Sequence, residues 1–214
     1  MEGSIVSRET DVSVGRLAAR ALIGGLFIGH GTQKLFGWFG GPGRAGTEGM
    51  MESLDMRPAK VHALAAGMAE TVGGGLLAAG FATPVAAATL TGVMTTAIKK
   101  VHLANGPWAA NGGWEYNAVL IAAVLALTET GPGDLSLDHA LGTERTGPAW
   151  AIGALATGVA GSALAIWAGN RGASPPVVTS VDTAAAAAHG DTAGDPTTKG
   201  ASADPTTKGV SASS

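Results

Sequence analysis

The chain has no cysteine and a single tyrosine, and charged residues fill only 14% of its 214 positions. Without cysteine there are no disulfides, no thiolate nucleophiles and no cysteine-ligated iron–sulfur clusters, although redox compartment is not decided by this. The charged share is about half to two-thirds of that usual in soluble domains. A net charge of −3 offers no basic surface for nucleic acid. No strand–glycine–helix fingerprint for a dinucleotide or flavin is read, and no metal site is expected.

Long apolar stretches take the place of charge. Five runs are readable, at about Val14–Phe36, Lys60–Phe81, Pro84–Val101, Tyr116–Thr128 and Pro148–Ala168. A spanning helix needs about 17–25 mostly apolar residues. The third run reaches this if its terminal lysines snorkel, and the fourth if Gly113, Trp114 and Glu115 begin it. A soluble bundle would need charged outer faces, which runs two, three and five lack. The fold class expected is therefore all-α, a transmembrane helical bundle of four helices over residues 14–130 with a fifth span at 148–169. Residues 1–13 form a flank without a cleavable signal-peptide pattern, and 131–147 form a loop. Residues 170–214, where Asp-Pro-Thr-Thr-Lys-Gly occurs twice, have too little apolar surface to order and are expected to be disordered.

Glu70 lies in the middle of the second run, where a carboxylate costs roughly 2.5–3.5 kcal/mol on insertion scales. It must keep its proton or find a cation within the protein. Arg20, Lys34 and Lys99 are the candidates. With antiparallel spans, call the side holding the N-terminus A and the other B. His30 and Lys34, His62, Lys99 and His102, and Glu115 and Tyr116 then all fall at B ends. At 100° per residue Arg20, Gly31 and Lys34 share one helix face, and Thr91, Thr95 and Lys99 share another. The expectation is a polar cavity open toward side B, drawn from Arg20, His30, Lys34, His62, Glu70, Lys99, His102, Glu115 and Tyr116. The competing reading is plainer: terminal lysines snorkel, helix-end histidines sit at the interface, and Trp38, Trp108, Trp114 and Trp150 anchor the chain there. The positive-inside count places side B in the cytoplasm, the arginine flank of the first helix argues the reverse, and orientation stays open.

Arg20 followed by Gly29-His30-Gly31-Thr32-Gln33-Lys34-Leu35-Phe36-Gly37, then Ala69-Glu70-Thr71-Val72-Gly73-Gly74-Gly75-Leu76-Leu77, resembles the DoxX family of small bacterial membrane proteins. Gly80-Phe81-Ala82-Thr83-Pro84 and Trp114-Glu115-Tyr116-Asn117-Ala118-Val119-Leu120 extend the likeness over roughly Gly15 to Thr130. The resemblance implies a four-helix membrane bundle in the bacterial plasma membrane and a link to membrane redox systems. It leaves the fifth run and the tail unexplained. The function expected is a non-autonomous subunit of a membrane redox assembly, accessory to a quinone-linked oxidoreductase, that binds a quinone or small anion. A haem held by two of His30, His62 and His102 is the weaker cofactor reading. The alternatives are a membrane scaffold or assembly factor docking a protein partner and, less favoured, a small-solute permease.

Overall fold

Helix ends in this chain are set by glycine and proline. In the computed structural model, which describes residues 13–172, α1 (Val14–Phe36) stops where Gly37 turns left-handed at φ 73° and its N–H returns to the Gln33 carbonyl. Helix α3 (Ala59–Ala79) ends the same way at Gly80, φ 63°. Pro84 occupies the first turn of α4 (Thr83–Ala97), where its missing N–H is not needed. The chain then winds as a π-turn over Ile98–His102. Helix α5 covers Glu115–Thr130, the short α6 Leu137–Leu141, and α7 Pro148–Arg171. No strand occurs among the described residues. The expectations for residues 1–12 and 173–214, including most of the low-complexity tail, lie outside them.

One further helix, α2 (Gly43–Ser53), crosses a stretch that reads in sequence as a glycine-rich loop. Three of its eleven residues are glycine, which disfavours a helix. Tertiary packing overrides that: Met51 and Met56 bury against Ala59 and Ala63 of α3. Thr47, fully buried, lies 2.7 Å from the Gly43 carbonyl and 3.2 Å from that of Lys34, with its hydroxyl placed to donate to either.

Small residues bring the long helices together. A methyl group on Gly31 of α1 would stand 2.6 Å from the Thr71 nitrogen and 2.7 Å from the Gly67 oxygen, so α1 and α3 touch backbone to backbone. Helices α4 and α7 approach in the same way at Gly92 and Gly158, and the Thr96 and Ser162 hydroxyls share a hydrogen bond of 2.8 Å beside them. Phe27, Leu77, Leu90, Met94, Leu120, Val124 and Leu127 fill the centre.

The outer surface is apolar. Leu22, Leu64, Val72, Val119, Ile152 and Leu164 are exposed, while Arg20, Glu70, Asn117 and Asp138 are buried. An apolar exterior around buried polar groups belongs in lipid. Helices α3 and α7 are each long and apolar enough to cross a membrane. Helix α1 carries Arg16, Arg20 and Lys34, and the regular parts of α4 and α5 have 15 and 16 residues.

Two sets of contacts define the ends of the bundle. At one, Arg16 Nη1 donates to the Thr130 carbonyl, and the Asp138 and Gly147 N–H groups donate to those of Gly80 and Glu129. This is the A end. At the other, the Arg57 N–H donates to the Gly169 carbonyl and Lys100 Nζ donates to Asn170 Oδ1. This is the B end.

Candidate functional site

Side chains on a helix lean toward its N-terminus, so Lys34, near the end of α1, reaches back about a turn toward the level of Gly31. That is where α3 comes closest. Lys34 Nζ meets Glu70 Oε2 there at 2.6 Å. The glutamate is 3% exposed, whereas the lysine side chain keeps 21% of its surface. The other carboxylate oxygen, Oε1, accepts no hydrogen bond from the described residues, nor is it one of the sealed, partnerless polar atoms. It therefore keeps a little accessible surface, and Glu70 lines an open space.

That space is a groove of about 800 Å³ along α4, between α3 and α7. About half of its lining is alanine, glycine and threonine. Polar side chains enter at Lys34, Glu70, His62, Lys100 and His102, and methionines 50, 51 and 56 close the B end. A volume of this size falls within the range of small-molecule sites, roughly 300–1,000 Å³.

The expected constellation is only partly assembled. Lys34, His62, Glu70 and His102 line the groove together. His30 is exposed and does not line it, though it is near enough to act electrostatically on Glu70. Lys99 is exposed, and Lys100, which reads in sequence as the ordinary anchor, takes the place expected of it. The reason is a face offset by one residue. Ala88, Gly92, Thr96 and Lys100 line the groove, while Thr91 is buried against Gly158 of α7. Glu115 Oε1 accepts from the Ala109 N–H at 2.7 Å and holds its own loop, and Tyr116 is exposed. His102 also donates from Nδ1 to the Gly112 carbonyl at 2.7 Å.

Arg20 belongs to a different place. It is buried at the A end, where Nη2 donates to the Leu135 carbonyl at 2.6 Å and Nε and Nη1 have no partner among the described residues. Of the candidate cations, it is Lys34 and not Arg20 that meets Glu70. The anion near Arg20 is Asp138, whose carboxylate accepts from the Ala82 and Thr83 N–H groups at 3.0 and 3.1 Å. It also accepts from the Thr83 and Thr143 hydroxyls at 2.9 and 3.0 Å. Burial alone would push the Asp138 carboxyl up, but these hydrogen bonds outweigh it and hold the group below the usual carboxylate range. Asp138 thus supplies from the distant α6 the cap that the α4 N-terminus lacks locally. The available signal was the acidic residues Asp134, Asp138 and Glu144 within the stretch 131–147.

Among the described residues no group of three or more His, Asp or Glu side chains could hold a metal ion. Comparison with curated proteins and with solved structures gives no match. Residues 15–103 match the DoxX family model, a stretch that begins in α1, takes in α2 and α3 and ends just past the π-turn of α4. This match over less than half of the chain supports a DoxX-family protein, and the apolar helices support a membrane protein.

Proposed function

We propose that this chain is a multi-pass protein of the bacterial plasma membrane that binds a quinone, acting as a non-autonomous subunit of a membrane redox assembly. The observation that carries the reading is the buried Lys34–Glu70 pair opening into a long apolar groove. An oxidised quinone ring offers carbonyl acceptors and its reduced form offers hydroxyl donors. Lys34 has N–H groups beyond the one given to Glu70, and Glu70 Oε1 is an unused acceptor, so the pair can hold either form. A small anion fits less well, because the lysine charge is already neutralised by the carboxylate and the walls are apolar. A chain without cysteine supplies no ligands for an iron–sulfur cluster, so electrons would reach the ring from a partner subunit.

The scaffold reading draws on the exposed Phe36, Trp38 and Phe39 at the α1–α2 turn, a surface suited to a protein partner. Solvent extraction of the full-length protein, purified in mild detergent, separates the two. A quinone recovered in near-stoichiometric amount is expected. A defined protein partner recovered with no quinone would favour the scaffold.

A further inference from the structure

We infer that the ligand enters this groove sideways from the bilayer, through a tail portal between α4 and α7 at Gly153, with its ring held deeper under α2. The inference rests on the quinone reading and adds where the two ends of the molecule go.

Contacts between helices set the levels. Gly73 packs on Leu90 and Thr89, so in the antiparallel α3–α4 pair Glu70 stands level with Val93. Gly92 meets Gly158 and Thr96 meets Ser162, so in the parallel α4–α7 pair this level falls at Val159, with Thr157 about 3 Å toward the A end. From Glu70 toward the B end the groove has four walls, with α2 contributing Met50, Met51 and Leu54. Toward the A end α3 contributes nothing beyond Glu70. Only α4 and α7 line that half, through residues such as Val85, Ala88, Trp150 and Gly153. The enclosed half holds the polar groups and the half open to the surroundings is apolar. That is the division an amphiphile needs.

The length of the groove suits a hydrocarbon chain. The groove runs from the level of Pro84 to that of Lys100, about 24 Å at 1.5 Å per residue. Gly153 is the further sign. A glycine in mid-helix is unfavourable, and Gly24, Gly31, Gly74 and Gly158 are each explained by a neighbouring backbone. Beyond its own helix, no described residue lies within 4 Å of a Cβ built on Gly153; Gly25, Gly29, Gly75 and Gly161 are equally open, but of these only Gly153 lines the A half of the groove. Its missing side chain leaves room for something outside the chain.

The experiment measures equilibrium binding of two probes to the full-length protein in nanodiscs. Menaquinone carries a long isoprenoid tail, and menadione has the same ring with only a methyl group. Gly153→Phe, whose Cβ has open space among the described residues, is expected to weaken menaquinone at least about tenfold and to leave menadione within about twofold. Thr157→Phe, one turn further along the same wall, should act likewise and serves if the first variant folds poorly. Glu70→Gln should weaken both probes. Unchanged menaquinone binding in both phenylalanine variants, or equal loss of both probes, overturns the portal while leaving the ring site standing on the Glu70 result. Failure of the wild type to bind either probe overturns the quinone reading, and the portal with it.

Discussion

Removing either charge of the Lys34–Glu70 pair should lower stability by about 3–5 kcal/mol, and removing both should restore most of it. The reason is asymmetric. A lone carboxylate or ammonium in this site keeps its desolvation cost and loses its partner, whereas two apolar side chains of similar size have no charge to desolvate. Lys34→Met strands a glutamate that is 3% exposed. Glu70→Leu strands a lysine that can still turn toward its partly open side, so the first substitution should be the worse of the two. Unfolding of Lys34→Met, Glu70→Leu and the double variant in one detergent completes a double-mutant cycle. Strict additivity of the two losses would mean that the pair is not coupled as the 2.6 Å contact requires.

Asp138→Ala should cost about 3 kcal/mol, because it strips the cap from α4 and leaves the Thr83 hydroxyl and two backbone N–H groups facing a buried gap. Asp138→Asn keeps one acceptor oxygen and should cost less. The effect has a definite pH dependence. The folded carboxyl titrates below its ordinary value, so its stabilisation is complete above the unfolded value of about 3.9 and is lost as pH falls through the lower folded value. The stability gap between wild type and Asp138→Asn should thus be flat from about pH 7 to pH 5 and narrow below about pH 4. A gap that widens on acidification would contradict this assignment of the hydrogen bonds.

Helix positions were legible because apolar runs, Gly37, Gly80 and Pro84 mark them directly. The pairing of Glu70 was legible only as a choice among cations. Helix levels make the choice: Gly24 meets Gly74 and Ala78, and Gly31 meets Gly67 and Thr71. Arg20 therefore falls beside Gly80, ten residues or about 15 Å along α3 from Glu70. Antiparallel order, already implied by the sequence, contained that answer. Two features were not legible. Helix α2 forms against the propensity of its glycines, because a methionine cluster holds it on α3. The groove face of α4 is set by where α7 lands. Thr91-Thr95-Lys99 and Gly92-Thr96-Lys100 are adjacent stripes of similar chemistry, and only contact with Gly158 and Ser162 decides between them.

Photolabelling with an azido-quinone in membranes bearing the full-length protein tests the central claim most directly. The account predicts label in peptides that line the groove, within residues 50–56, 62–70, 92–102 or 150–165, and its loss when menaquinone competes. Label spread over outward residues such as Leu22, Leu26 and Val119, unaffected by menaquinone, would show that the quinone merely shares the bilayer with this protein.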